Sequence, residues 1–180
     1  MRAVTVDLVV RWIRQYHPTG PVADCGGAFA DYYSSRGLPL EPIFRHHGLE
    51  YLTVDRCEGA GLQADLCRGP VYLVGIHKVA GKDTWSPPWG AAVCSDALMY
   101  AVDPIVFGSS VRQMVAPGGL LLVVAQEAGV RRGDESKDYF RFTPAGLALV
   151  FRGFDALELG NQEDPERPSE KYVYMIGRKA

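Results

Sequence analysis

Two apolar segments of the sequence each end in an acidic residue, and a glycine pair follows the first of them. Pro21 to Asp24 runs into Gly26 and Gly27, and Leu49 to Asp55 is the next segment of this kind. A glycine-rich turn after a strand lets a cofactor approach the backbone, and an acid ending the next strand can accept both hydroxyls of a ribose. A tight turn or a solvated carboxylate explains either feature alone. Together they predict a nucleoside-cofactor site.

Other residues capable of chemistry form weaker patterns. His46 and His47 are adjacent, so their side chains point in different directions, and no third ligand is spaced to complete a metal site; we predict a solvated turn and no metal. Cys25, Cys57 and Cys94 follow predicted strands and could converge, although such thiols are usually small buried hydrophobes. Four cysteines without a C-x-x-C pair indicate free thiols rather than a disulfide scaffold or a zinc knuckle.

Alternating strands and helices must position these residues. The apolar spacing in Val4 to Tyr16 predicts an amphipathic helix, and Thr143 followed by Pro144 predicts the start of a helix that continues through Phe151. The uninterrupted apolar run Gly119 to Ala125 is typical of a parallel strand covered on both faces. The remaining predicted elements are helices at Ala28 to Arg36 and Pro104 to Met114, strands at Val71 to Ile76, Ala91 to Ser95, Asp155 to Leu159 and Lys171 to Gly177, and a hairpin loop in the acidic segment GNQEDPERPSE.

This order of strands and helices predicts an α/β fold with a doubly wound, mostly parallel sheet and right-handed crossovers. In such sheets, ligands bind beyond the carboxyl ends of the central strands, where the strand order reverses. The residues that directly follow strands are therefore the expected site: positions 24–30, 55–58, 95–100 and 126 onward.

Composition excludes several classes of protein. The chain has 180 residues, with 19 Lys and Arg against 21 Asp and Glu, for a net charge of −2, and 47% of its residues are hydrophobic. These values are typical of one globular domain with a core, and the lack of a basic excess argues against binding to nucleic acid or to a membrane surface. The longest apolar run is far shorter than the ~20 residues of a membrane helix. The N-terminal segment lacks a signal-peptide pattern, so we expect a cytoplasmic protein.

Four segments, in order, resemble the class I S-adenosylmethionine-dependent methyltransferases. DCGGAFA is similar to the family's acid-and-glycine loop, and YLTVD to its second strand with the ribose-binding acid. WGAAVCSDALMYAVDP is similar to the family's fourth strand and the segment after it, and VAPGGLLLVVA followed by DYFRFTPAGL to its Pro-Gly-Gly turn, fifth strand and next region. The resemblance spans Asp24 to Leu159. It implies a seven-stranded Rossmann-like sheet in a three-layer α/β/α arrangement.

The resemblance also implies S-adenosylmethionine as the cofactor and assigns roles to individual residues. The implied cofactor-binding residues are Asp24, Cys25, Gly26, Gly27, Ala28, Cys94 and Ser95 near the methionine end, Asp55 and Arg56 at the ribose, and Asp65 and Leu66 at the adenine. The candidate catalytic residues are Asp96, His77 and Asp138.

The sequence departs from the family pattern in two places, and two functions remain open. Ala28 and Ala30 stand where glycines are usual, and Gly90, Met99 and Tyr100 replace an Asp, a Glu and a His. The first hypothesis is a methyltransferase that acts on oxygen or nitrogen of a small-molecule acceptor. The second is a non-catalytic relative that uses the fold for binding or assembly. A dinucleotide-dependent oxidoreductase is disfavoured because the turn lacks G-x-G-x-x-G spacing.

Residues 1–180 are expected to form a single methyltransferase-like domain. Its N-terminal helix lies within residues 1–19, and residues 66–88 form an extended stretch before the family's fourth strand, either a lid over the site or a surface excursion. The expected partner is a small-molecule substrate, with no nucleic acid and no membrane, and a homodimer is compatible with the sequence.

Overall fold

A computed structural model describes residues 3–27, 40–56, 60–69, 87–127 and 139–180, together with the backbone of residues 78–79 and 82–83. Its helices are α1 (Ala3–Tyr16), α2 (Glu41–His46), α3 (Pro104–Met114) and α4 (Pro144–Val150). Its strands are β1 (Val22–Cys25), β2 (Tyr51–Asp55), β3 (Leu62–Gln63), β4 (Lys78–Val79), β5 (Lys82–Asp83), β6 (Trp89–Ser95), β7 (Val115–Gln126), β8 (Phe154–Asp164) and β9 (Arg167–Lys179). Two short 3₁₀ turns occupy Leu66–Arg68 and Leu98–Tyr100.

Seven of these strands form one sheet in the order β3-β2-β1-β6-β7-β9-β8, while β4 and β5 pair as a separate antiparallel hairpin. Within this sheet β3, β2, β1, β6 and β7 are parallel, and β9 runs antiparallel to both β7 and β8. In chain order the sheet grows outward from β1 first on one side and then on the other. The strand order therefore reverses between β1 and β6, and the crevice beyond their carboxyl ends is the expected place for a ligand.

Helices cover both faces of the sheet, as the sequence predicts for a three-layer α/β/α fold. On one face, α1 buries Val4, Leu8 and Trp12 together with Phe44 of α2. On the other face, α3 and α4 bury residues such as Phe107 and Leu147. Strand side chains alternate between these two layers, because successive residues of a strand point to opposite faces. None of the helices in the described part of the chain is long and apolar enough to cross a membrane.

Most predicted elements are confirmed near their predicted boundaries. The α3 helix spans the predicted residues, with the Asp103 carboxylate accepting a hydrogen bond from the Val106 backbone N–H at 3.0 Å and Pro104 in the first turn. The N-terminal helix and the strands around Asp24, Asp55, Ala92, Leu122, Leu157 and Val173 are likewise present. The helix predicted at Ala28 to Arg36 and the strand predicted at Val71 to Ile76 lie outside the described residues.

The predicted hairpin between the last two strands is confirmed, but its loop is much shorter than predicted. Strands β8 and β9 continue through the acidic segment as far as Asp164 and Arg167, which leaves a turn of only Pro165 and Glu166. The Asp164 carboxylate accepts a hydrogen bond from the Glu166 backbone N–H at 2.9 Å and so stabilises this tight turn. Charged and polar residues are compatible with this part of β8 and β9, because most side chains between residues 160 and 170 are exposed. Helix α2, which buries only Phe44, was not predicted.

The predicted N-cap of α4 is confirmed and supports a first test. The Thr143 hydroxyl accepts a hydrogen bond from the Gly146 backbone N–H at 3.1 Å. We expect Thr143→Ala to lower the free energy of unfolding by about 1 kcal/mol, the usual contribution of such a cap. Urea denaturation would measure the loss. Thr143→Ser, which keeps the hydroxyl, should recover most of the stability, and equal losses in both variants would contradict the capping role.

Candidate functional site

Polar residues end four neighbouring strands at one edge of the sheet. Asp24 lies near the end of β1, Asp55 ends β2, Ser95 ends β6 and Gln126 ends β7, and all four are at least 95% buried. The structure therefore brings together the two acids that the sequence singles out, on adjacent strands at the point where the strand order reverses. Gln126 begins the last of the regions that the sequence marks as the expected site.

The turn after β1 has no room for side chains. Gly26 has a φ of +86°, and a Cβ there would overlap the methyl group of Ala97, which follows β6. The Gly26 backbone N–H donates to the Val54 carbonyl at 2.7 Å, so the turn is held against β2. A Cβ on Gly27 would overlap the carboxyl group of Asp24. Both glycines are thus needed for the turn to lie between the ends of β1, β2 and β6. Ala28 lies outside the described residues.

The carboxyl group of Asp24 is packed beneath this turn. The Tyr51 hydroxyl donates a hydrogen bond to its Oδ2 atom. Burial raises the pKa of Asp24 from 3.8 to about 7; the Tyr51 hydrogen bond opposes this rise, and the charge of Asp55 adds to it. A buried carboxylate is disfavoured because it loses the hydration that water would provide. Near neutral pH, Asp24 can therefore change its charge when a cation binds beside it.

Asp55 lines a small cleft that is open to solvent and has a cavity volume of about 60 Å³. The cleft lies between the ends of β1 and β2, the Leu66–Arg68 turn and the Leu98–Tyr100 turn. Besides Asp55, four predicted cofactor-binding residues line the cleft: Gly26, Arg56, Asp65 and Leu66. The rest of the lining includes Ala97, Tyr100, Ala101 and Phe107, which form an apolar wall. A carboxylate at one end and apolar groups at the other suit a nucleoside.

Asp65 already has partners within the chain. Its carboxylate accepts a hydrogen bond from the Cys67 backbone N–H at 3.0 Å and lies 3.2 Å from Nε of the exposed Arg68. The neighbouring Leu66 is buried, and its carbonyl accepts a hydrogen bond from Ser110 of α3 at 2.9 Å. The beginning of the stretch 66–88 is therefore part of the core. Its hairpin β4–β5 is described only as backbone.

The predicted cysteines do not turn their thiols towards the cleft. Cys25 and Cys94 lie on adjacent strands, and both side chains belong to the apolar core beneath α3 and α4. Burial raises the pKa of the Cys94 thiol well above its ordinary value, and a hydrogen bond with Cys25 adds to the rise. These thiols are free and chemically protected. Only their backbone groups remain for a ligand, and Cys57 lies outside the described residues.

Ser95 and Asp96 lie at the other side of the crevice. The buried Ser95 hydroxyl points to the opposite face from Cys94 and donates to the Thr5 hydroxyl of α1 at 3.4 Å. Asp96 is partly exposed, has a φ of +53°, and donates its backbone N–H to the Val124 carbonyl at 3.0 Å. The other candidate catalytic residues, His77 and Asp138, lie outside the described residues.

The structure explains the departure at Gly90 and places Met99 in the core. Gly90 is required because a Cβ there would overlap the Thr19 carbonyl oxygen, so the chain leaving α1 crosses directly over this strand. Met99 is buried, and its carbonyl accepts hydrogen bonds from the backbone N–H groups of Tyr139 and Phe140 at 2.9 and 3.3 Å. The segment after β6 is thus joined to the segment that leads into α4.

Sequence reasoning missed Tyr51 as part of the site. The sequence carried no signal for this contact, because it depends on the strand register: Asp24 pairs with Thr53, and Tyr51, two residues earlier, points to the same face. His46 and His47 pack ring edge to face at 5.3 Å. Within the described ranges, no group of three or more His, Cys, Asp or Glu residues could hold a metal ion.

Several solved structures similar to this chain are methyltransferases. No protein-family model matches the chain, and no curated protein sequence does. The 1,6-didemethyltoxoflavin-N1-methyltransferase of Burkholderia thailandensis, solved with its substrate and S-adenosylhomocysteine, is 16% identical, with a TM-score of 0.65 over 99% of this chain and 79% of that chain.

Two further structures show the same likeness. The MccD protein is 10% identical, with a TM-score of 0.63 over 100% of this chain and 99% of that chain. A SAM-dependent methyltransferase from Aquifex aeolicus is 10% identical, with a TM-score of 0.58 over 89% and 82% of the two chains. With its strand order and its helices on both faces, the chain has the fold of the class I S-adenosylmethionine-dependent methyltransferases.

Proposed function

We propose that the protein is an S-adenosylmethionine-dependent methyltransferase that methylates oxygen or nitrogen of a small-molecule acceptor. The observation that carries this proposal is the arrangement at the strand-order reversal. There a side-chain-free turn, Gly26 and Gly27, lies between two buried carboxyl groups, Asp24 and Asp55, and one of these opens onto a cleft. Fold likeness alone would not distinguish among the functions that one architecture can host.

The residues around the turn fit an adenosyl cofactor. The Asp55 carboxylate offers two oxygens to the ribose hydroxyls, and Leu66 with the apolar wall of the cleft suits the adenine ring. Asp65 and Arg56 border the same cleft. At the other end, the Asp24 carboxyl complements the positive charge of the cofactor's amino acid group. A side chain at Gly26 or Gly27 would overlap Ala97 or the Asp24 carboxyl group and so displace the turn that the cofactor would lie against.

In this reaction the chain's main task is to align the acceptor with the methyl group. When bound, the cofactor supplies a methyl group activated by a positive sulfur. The chain's residues orient the acceptor in line with this methyl group and exclude water, which is the main source of rate when the donor is already reactive. Ser95 and the backbone of Cys94 border the place of transfer, and Asp96, His77 and Asp138 are the proposed candidates for taking a proton from the acceptor.

A small acceptor is favoured by charge and by one structural neighbour. The net charge of −2 provides no electrostatic attraction for nucleic acid. The neighbour from Burkholderia thailandensis is named for methylation of a small heterocyclic molecule, 1,6-didemethyltoxoflavin. We infer the same general class of acceptor here, without extending that particular substrate to this chain.

Calorimetric titration with S-adenosylhomocysteine at pH 8 tests the proposal. We expect saturable binding with one site per chain. Absence of binding at millimolar ligand, by a protein shown to be folded, would contradict a cofactor-dependent enzyme. Methyl transfer from labelled S-adenosylmethionine to fractions of a small-molecule extract would then identify the acceptor.

Asp55→Ala is expected to weaken S-adenosylhomocysteine binding by about 30-fold. This loss corresponds to about 2 kcal/mol, a typical value for removing hydrogen bonds to a charged group. Asp103→Asn is the matched control, because it also removes a carboxylate that follows the β6 region but caps α3 instead. The same calorimetric titration measures both variants. Equal affinities in Asp55→Ala and the natural protein would rule out the ribose-binding role.

A non-catalytic binding module is the second candidate, and one observation favours it. The Asp24 carboxyl group already has a partner in Tyr51 and lies against the turn at Gly27. Together with Ala28 and Ala30 in the loop sequence, this arrangement could leave the cofactor too little space. The double variant Ala28→Gly/Ala30→Gly separates the two functions. Binding that appears only in the double variant would identify the natural protein as the non-catalytic relative.

A further inference from the structure

We propose that Tyr51 is a positioning residue of the cofactor site, which holds the Asp24 carboxyl group in place and favours its charged form when the cationic end of the cofactor binds. This inference rests on the proposed function and deepens it, because it assigns a role to a residue outside the sequence motifs. It follows from a hydrogen bond, from the packing of the tyrosine ring and from the position of both residues beneath the glycine turn.

The hydroxyl of Tyr51 is directed at Asp24 by the register of the sheet. Asp24 pairs with Thr53, and Tyr51 lies two residues earlier on β2, so both side chains point to the face covered by α1. The hydroxyl donates to Oδ2 of Asp24. On its other side, the carboxyl group faces Gly27, where a Cβ would overlap it. The carboxyl group is therefore held between a donor and the backbone of the proposed cofactor-binding turn.

Aromatic packing fixes the Tyr51 ring. Phe44 of α2 stacks on it with a centroid separation of 5.4 Å and an interplanar angle of 21°. Trp12 of α1 meets Phe44 edge to face at 6.3 Å, and both Trp12 and Phe44 are fully buried. Three elements thus orient one hydroxyl group. A ring held in this way loses little additional freedom when its hydroxyl binds, which makes the hydrogen bond more effective.

The charge of Asp24 depends on groups from each neighbouring element. Tyr51 lowers its pKa, whereas burial and the charge of Asp55 raise it. Cys94 of β6 also interacts with Asp24 electrostatically.

The two helices over this face add little charge at the carboxyl group. On α1, Asp7, Arg11 and Arg14 line an outer surface. On α2, Glu41 and Arg45 pair with each other at 2.6 Å. Among the described neighbours of Asp24, Tyr51 is therefore the group that opposes its protonation, and Tyr51→Phe removes this effect while keeping the ring.

Tyr51→Phe tests the inference because it keeps the stacked ring and deletes only the donor. Affinity for S-adenosylhomocysteine, measured by calorimetry from pH 6 to 9, should rise with pH in the natural protein as Asp24 ionises. In the variant the same rise should occur about one pH unit higher. The variant should therefore bind about 5-fold more weakly at pH 7 and nearly normally at pH 9. Asp24→Asn should abolish this rise with pH.

Tyr16→Phe is the matched control. It removes another tyrosine–carboxylate hydrogen bond, from Tyr16 to Glu158 at 2.7 Å, at a distance from the turn. It should leave both the affinity and its pH profile unchanged. A loss of affinity in Tyr51→Phe that is equal at every pH would indicate a merely structural role and overturn the inference, as would an unchanged profile.

A second measurement separates this inference from the proposed function. Carbon-13 NMR of the Asp24 carboxyl group gives its titration directly, without any ligand. An Asp24 titration that does not move in Tyr51→Phe overturns the inference even if the cofactor binds. If the natural protein fails to bind S-adenosylhomocysteine at any pH, the proposed function fails, and the positioning role fails with it whatever the titration shows.

Discussion

Gly26→Ala is expected to lower the free energy of unfolding by about 3 kcal/mol. Gly26 adopts a φ of +86°, where an alanine is strained by about 1 kcal/mol or more, and its new Cβ would overlap the methyl group of Ala97. Overpacking of this kind typically adds 1–3 kcal/mol. Because Gly26 joins the ends of β1, β2 and β6, the same change should also weaken S-adenosylhomocysteine binding. Urea denaturation measures the first effect and calorimetry the second.

Gly48→Ala separates the two causes. Gly48 has a similar φ of +71°, but nothing lies within 4 Å of the position that a Cβ would occupy. This variant should therefore lose only about 1 kcal/mol, the strain alone. Combining Gly26→Ala with Ala97→Gly should restore part of the remaining loss, because the second change removes the overlapping methyl group. If Gly26→Ala is no more damaging than Gly48→Ala, the close approach of the turn to β6 is wrong.

Sequence patterns predicted the elements that depend on local and periodic signals. The α3 helix has both its cap, Asp103, and a proline in its first turn, so its start follows from short-range chemistry. The apolar run in β7 is buried over Leu120 to Gln126, as expected for a strand covered on both faces. The acids at the ends of β1 and β2 follow from the same logic, because parallel strands end at a common edge.

Long-range geometry explains what the sequence did not reveal. The hydrogen bond from Tyr51 to Asp24 joins residues 27 positions apart and depends on strand register, which has no local signature. The need for glycine at position 90 arises from the crossing of Thr19, far away in the sequence. The extension of β8 and β9 through a charged segment reflects pairing between exposed strands, where apolar alternation is not required. In each case tertiary contacts decide the outcome.

The buried Asp24 should make the protein less stable as the pH rises from about 4 to about 7. An acid whose folded pKa is about 7 and whose ordinary value is 3.8 keeps its proton in the folded chain after the unfolded chain has lost it. Its contribution to stability is therefore complete below pH 4 and is lost as the pH rises through 7. A difference of this size corresponds to roughly 4 kcal/mol over the whole range.

Comparison with Asp24→Asn isolates this contribution. Urea denaturation at pH 5, 6, 7 and 8 should show the natural protein losing stability relative to the variant as the pH rises, with no further change above about pH 8. Asparagine keeps the shape and the acceptor oxygen for Tyr51 but cannot ionise. Subtracting the two curves largely cancels the titration of other groups.

The control and the role of a ligand complete the test. Asp103→Asn, which replaces an exposed carboxylate, should show no comparable trend, because folding does not remove that carboxylate from water. Binding of a cation beside Asp24 favours the ionised form, so S-adenosylhomocysteine should release a proton on binding at pH 6 and should stabilise the protein more at pH 8.

A stability difference between the natural protein and Asp24→Asn that does not vary with pH would mean that Asp24 is ionised in the folded chain throughout, and the glycine turn would then enclose a permanent negative charge.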